Sequence, residues 1–262
     1  MVSILYICVL LNYIIMKRYL SFLIAGCSVA LISSCSSNLK TSTFERAQTT
    51  ALADGSDASM TIVISYELPD RNREMSEEIN EKVLGSKYGK MNQSDILDNY
   101  IDDRTAEYRE ANLPLLRMSQ ESGEPYASLN WEEYITGSFS PESHGTVSYT
   151  IERYVYTGGA HGMSSETAIN FNRRTGEKID EDDFFTDGSE SQLSSLLTQK
   201  ASEYMKNSGN GSLFVDKVEP NDNFRVSDEG VTYIYNPYEI APYSSGIIKL
   251  TLKWPEIENI LK

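Results

Sequence analysis

Tyr156-Thr157-Gly158-Gly159-Ala160-His161-Gly162 places three glycines around one histidine. Glycines at that density let a backbone turn sharply and approach another surface closely. An imidazole there changes charge near neutral pH, which suits a general base or a recognition contact. Three readings of His161 stand side by side. It is a turn residue bonded to local backbone, a recognition group, or the base of a hydrolase working with a nearby carboxylate. A second string, Asn236-Pro237-Tyr238-Glu239-Ile240-Ala241-Pro242-Tyr243-Ser244-Ser245-Gly246, holds two prolines that restrict φ and stiffen the loop. Tyr233, Tyr235, Tyr238 and Tyr243 put four phenols within eleven residues. Rigid tyrosines lose little entropy on binding and suit protein or sugar surfaces. Equally, such tyrosines can end a sheet with their hydroxyls satisfied by backbone. The candidate binding residues are Gly158, Gly159, His161, Gly162, Tyr238, Glu239 and Tyr243.

Other chemistries find less support. Two histidines exclude a His-rich metal site. The run Glu177, Asp180, Glu181, Asp182 and Asp183 lacks the glycine and glutamate positions of a calcium loop and reads as a solvated acidic segment. There is no phosphate-cradling glycine loop, no dinucleotide fingerprint and no Gly-x-Ser-x-Gly elbow. No catalytic residue, metal ligand or cofactor is assigned, and the chain is expected not to be an enzyme. A formal charge of −15 repels phosphate backbones, so nucleic acid is not an expected partner.

The elements that must position these strings begin after an address. Lys17 and Arg18 precede an apolar stretch over 19–32, as in a secretory signal with its apolar core of about 7–15 residues. Each apolar run is shorter than the roughly 20 residues of a membrane-spanning helix. Leu31-Ile32-Ser33-Ser34-Cys35 resembles the lipobox of bacterial lipoproteins, with Met16 as the expected start of translation. That resemblance implies a signal peptide over 1–34 and a Cys35 carrying acyl chains that anchor the exported protein to a membrane. Two such chains hold stably where one is marginal. Cleavage removes Lys17 and Arg18, taking the formal charge from −15 to −17, and leaves no cysteine for a disulfide.

Residues 35–59, rich in Ser, Thr, Ala and Asp, read as the lipidated cysteine and a flexible tether. Strands are expected over 61–69, 131–139, 145–156, 165–171, 224–226, 231–235 and 246–253 from β-branched content and period two. Helical spacing predicts a helix opening at Ser76 and closed by Gly85. A second runs from Ser94 to Met118, with Pro114 as a bend or break, and a third over 189–206. A short terminal helix covers 255–261. Helices and strands are segregated, which argues α+β with antiparallel sheets in two adjoining α/β modules, 60–160 and 161–262.

The strings Gly158-Gly159-Ala160-His161-Gly162, Asn170-Phe171, Thr175-Gly176, Asp182-Asp183-Phe184-Phe185, Asn223-Phe224 and 236–243 together resemble the RsiV-like extracellular domain family. Residues 60–160 are similar to the PdaC-type α/β module. The family includes a lysozyme-sensing anti-sigma factor ectodomain and an accessory module of peptidoglycan deacetylases. The resemblance implies a non-catalytic, envelope-facing binding domain, with a basic lysozyme-like protein or peptidoglycan as partner. Two departures limit what it implies: too few residues precede the apolar run for a sigma-binding segment, and no room remains after Lys262 for a metal-dependent catalytic domain, so neither is expected. The expected location is therefore exported and membrane-anchored, facing periplasm or cell exterior.

Overall fold

Alternate residues of Ser59–Pro69 are buried, so Met60, Ile62, Ile64 and Tyr66 share one face of a strand. That face seeds the first core. The computed structural model describes residues 39–124, 128–209 and 211–262. The expected signal peptide and Cys35 lie outside the described residues. Among the described residues, no helix is long and apolar enough to cross a membrane.

Six strands form the first sheet in the order β1 to β6: β1 (Thr41–Ala51), β2 (Ser59–Pro69), β3 (Trp131–Phe139), β4 (Thr146–Tyr156), β5 (Met163–Asn172) and β6 (Lys178–Ile179). Two helices, α1 (Arg73–Leu84) and α2 (Ile96–Ser122), lie between β2 and β3 in the chain. Ile79 and Val83 of α1 and Ile96, Tyr100 and Tyr108 of α2 pack with Ile64, Ile135, Tyr149 and Phe171 of the sheet. A second, three-stranded sheet follows: β7 (Phe224–Ser227), β8 (Gly230–Tyr235) and β9 (Ile248–Lys253). Its core takes Leu193, Leu197 and Ala201 from α4 (Glu190–Ser208), with Phe224, Tyr233 and Leu250. The one-turn helices α3 (Glu181–Phe184) and α5 (Trp254–Ile257) flank it.

The α+β class and two-sheet layout agree with the sequence reading, and five details differ. Residues 41–51 are a strand, not tether, paired with β2 along its whole length from Thr41↔Pro69 to Ala51↔Ser59. An edge strand is held by its ladder and wets most of its side chains, so no apolar period marks it. The β2–β3 pair is parallel, Met60 opposite Trp131, because the helical crossover returns the chain to the same end of the sheet. Helix α1 starts earlier than Ser76: Asn72 is its cap, its side chain accepting from the Met75 amide at 3.0 Å. Helix α2 passes through Pro114 and stops at Gly123, whose φ of 71° suits a C-terminal glycine. The 160/161 boundary lies in the β4–β5 hairpin, and the first sheet continues to Ile179.

Asparagine side chains join the sheets. Asn170 Nδ2 donates to the Phe224 carbonyl at 2.8 Å, while its Oδ1 accepts from Ser148 Oγ at 2.7 Å. Ser148 Oγ accepts in turn from the Val226 amide at 2.8 Å. Asn223 Oδ1 accepts from the Ala168 amide, and its Nδ2 donates to the Glu166 and Ile234 carbonyls. Both histidines also face aromatic rings beyond β6 in the chain: His144 on Trp254 at 3.9 Å, and His161 on Tyr243 at 4.0 Å between centroids.

Candidate functional site

Gly158 and Gly159 have φ of 92° and 91°, which ordinary residues rarely adopt. A Cβ on Gly158 would lie 2.8 Å from the Ser128 carbonyl oxygen. The Tyr156 hydroxyl donates to the Gly159 carbonyl at 3.0 Å and ties the turn down. Gly162 is buried against Tyr154, where a Cβ would approach the ring to 2.4 Å. Glycine is required there by contact, not by φ.

The Asn236 loop arrives at the same place. Asn236 Oδ1 accepts from the Glu166 amide at 2.7 Å, and its Nδ2 donates to the Glu166 carbonyl at 3.1 Å. One carboxamide thus satisfies both backbone groups of a β5 residue, as a neighbouring strand would. Beyond it, the Glu239 amide bonds to Asn236 O and the Tyr238 amide to Ala241 O, both at 3.1 Å. Ile240 and Ala241 are buried and root the loop in the second core.

The two strings singled out by sequence therefore converge. The imidazole of His161 stacks on Tyr243 with an interplanar angle of 24°. Its Nδ1 lies 3.2 Å from the Gly162 carbonyl oxygen, and that oxygen accepts the Tyr243 hydroxyl at 2.7 Å. Tyr238 stands 5.8 Å from Tyr243, centroid to centroid, and is 51% exposed. Its φ is 73°, an uncommon value for a bulky residue that costs roughly 1–3 kcal/mol. A strained, half-exposed aromatic is what a contact surface presents and a core does not. Glu239 is exposed, its carboxylate accepting from Asn236 and Asn221. The other two phenols point inward: Tyr233 and Tyr235 are buried, and Tyr235 donates to the Glu219 carbonyl. Burial raises both above the ordinary phenol value, so they stay neutral.

Two residues that sequence reasoning missed complete the surface. The Phe214 amide donates to the Ile240 carbonyl at 2.9 Å, which seats a third loop beside Tyr238. Gly211 in that loop faces Pro242. Phe214 is 59% exposed, and Met163, next to Gly162, is 37% exposed. The available signal was a phenylalanine in a polar, glycine-containing stretch with no period to bury it.

The acidic segment serves structure. Asp180 and Asp183 make a capping box on α3. Glu181 and Asp222 exchange amide-to-carboxylate hydrogen bonds at 2.9 and 2.7 Å, and burial raises the Glu181 carboxyl. Asp98 pairs with Arg46, and Asp103 with Lys87 and the Tyr88 hydroxyl. Among the described residues, no group of three or more His, Cys, Asp or Glu side chains is placed to hold a metal ion.

Residues 56–164 match the family model described as deacetylase PdaC, and residues 182–255 match that of a family of unknown function, DUF3298. The chain thus carries a PdaC-like segment followed by a DUF3298 segment. His161 and Gly162 fall in the first and the Tyr238 loop in the second, so the surface straddles them. No curated protein matches the chain. A DUF3298 family member from Bacteroides fragilis NCTC 9343 has a similar structure, with 21% identity and a TM-score of 0.75 over 86% of this chain and 94% of its own. A second, from Pseudomonas aeruginosa PAO1, has 17% identity and a TM-score of 0.61 over 86% of this chain and 95% of its own. At these identities the likeness establishes the fold.

Proposed function

We propose that the protein is an exported, lipid-anchored binding protein of the cell envelope. In this reading Cys35 holds it to a membrane, and the surface of His161, Met163, Phe214, Tyr238 and Tyr243 meets its partner. In this reading it binds and does not catalyse, with the imidazole, stacked on Tyr243 and beside the Gly162 carbonyl, serving as a recognition contact. The observation that carries the contact surface is Tyr238, held strained and half-exposed by a turn clamped to β5. Exposed aromatics grouped in one place mark an interaction site. The partner we propose is a basic protein of lysozyme type. The strongly acidic chain would steer it in, and the RsiV-like resemblance points the same way.

Titrating a basic lysozyme against the full chain, at low and high salt, tests this. Affinity is expected to fall as salt rises, while Tyr238→Ala and Phe214→Ala each weaken binding about tenfold or more. Absence of binding at low salt removes this partner. A peptidoglycan glycan is the second reading, favoured by the open ring of Tyr238 beside Tyr243. Retention of the protein on purified peptidoglycan, lost on Tyr238→Ala, would select it instead.

A further inference from the structure

We propose that a second, independent binding site for a neutral saccharide lies in the cleft between β1, the end of β2, α1 and the loop over 89–93. The cleft measures about 740 Å³, within the roughly 300–1,000 Å³ usual for ligand pockets. Arg73, Glu77 and Asn80 reach it from one face of α1, Phe44 from β1, and Asn92 and Gln93 from the loop. It does not share these residues with the three-loop surface, and it stands whether or not that surface binds a protein.

The wall of this cleft is built around a closed ring of hydrogen bonds. Tyr66 Oη donates to Asn80 Oδ1 at 2.9 Å, Asn80 Nδ2 to Gln93 Oε1 at 3.2 Å, and Gln93 Nε2 back to Tyr66 Oη at 3.2 Å. The ring couples the two amides, so that neither can turn over without the other. Turning Asn80 over would set two acceptors together, and turning Gln93 over would set two donors together. Burial raises the Tyr66 phenol to about 12, so it remains a donor. Each carboxamide keeps a second N–H that the ring does not use, and both residues line the cleft. Asn80 is 3% exposed, so its orientation is set by the core and not by solvent.

Charge selects the ligand class. The chain is strongly acidic, yet the ionisable residues lining this cleft are Asp70, Arg73, Glu77 and Lys90, which sum to zero. Arg73 and Glu77 neutralise one another through an ion pair at 2.5 Å, and Asp70 accepts from Ser42 at 2.8 Å. The lining itself therefore carries no unbalanced charge to hold a cation or an anion. Preoriented carboxamides beside an aromatic ring instead match hydroxyls that both donate and accept, carried on a ring with apolar C–H faces. A neutral sugar has that chemistry.

The experiment is calorimetric titration of the full chain with triacetylchitotriose and with cellotriose, at low and high salt. Binding of either is expected, with affinity unchanged by salt because no net charge is neutralised. Phe44→Ala on the edge strand and Gln93→Ala should each weaken it about tenfold. Tyr66→Phe keeps the packing, opens the ring and should weaken it several-fold, with only a modest fall in unfolding midpoint. Tyr238→Ala should leave it unaltered, and Phe44→Ala should leave lysozyme binding unaltered. Failure of both sugars to bind overturns the proposal. So does sugar binding that Tyr238→Ala abolishes and Phe44→Ala spares, which would place the sugar on the three-loop surface.

Discussion

Glu133→Ala is expected to lower unfolding stability by about 3–5 kcal/mol, the usual result of removing one member of a buried ion pair. Glu133 is 3% exposed on β3. Its Oε1 accepts from Tyr100 Oη at 2.8 Å and Arg153 Nη1 at 2.9 Å, and its Oε2 accepts from Arg104 Nε at 2.9 Å. Arg153 also donates to the Val83 carbonyl of α1, and the Arg104 guanidinium lies 5.4 Å from the Trp131 ring centroid. One carboxylate thus ties α1, α2, β3 and β4 together. Without it, two guanidinium groups and a phenol lose their shared partner. Burial, with Glu133 itself next, raises the Tyr100 phenol in the intact cluster. The arginine side chains are 19% and 29% exposed, and water reaching them sets the cost nearer 3 kcal/mol than 5. Glu133→Gln preserves shape and should cost less. Urea unfolding of both variants, with unchanged slope, checks the order.

The second large effect is expected at Asn223. Asn223→Ala leaves the Ala168 amide without its side-chain acceptor and takes one donor each from the Glu166 and Ile234 carbonyls, which keep Asn236 and Asn221. Orphaned, partly buried backbone groups cost about 1–3 kcal/mol each where water cannot reach, and less where it can. A loss of about 1–3 kcal/mol is expected. The same change should weaken partner binding, because Glu166 is also the residue to which Asn236 clamps the Tyr238 loop. Asn236→Ala separates the two effects. It releases the contact loop but leaves the Asn223 cross-link, so binding should fall more than stability does.

These two residues mark what was legible in the sequence. Period two gave most strands of both sheets within a residue or two, and the glycine–histidine and tyrosine–proline strings proved to meet. The same alternation places Glu133 on the face of Trp131 and Ile135, so its burial was readable, but nothing local announces that arginines from α2 and β4 will reach it. Asn170, Asn223 and Asn236 stood out only as parts of motifs. Their work is to replace strand ladders between sheets, a long-range pairing that no short window of sequence encodes. Strand β1 escaped because an edge needs no buried period, and the parallel β2–β3 pair because chain direction follows from how the helices return. Phe214 was missed because its loop shows no pattern until the Ile240 carbonyl takes its amide.

Hydrogen–deuterium exchange of the full chain, free and with a basic lysozyme, tests the binding surface most directly. The expected result is new amide protection confined to residues 158–164, 211–215 and 236–246. Exchange at β1, α1 and the 89–93 loop should stay unchanged. Protection absent from all three loops, or centred on the β1–α1 cleft, would contradict it.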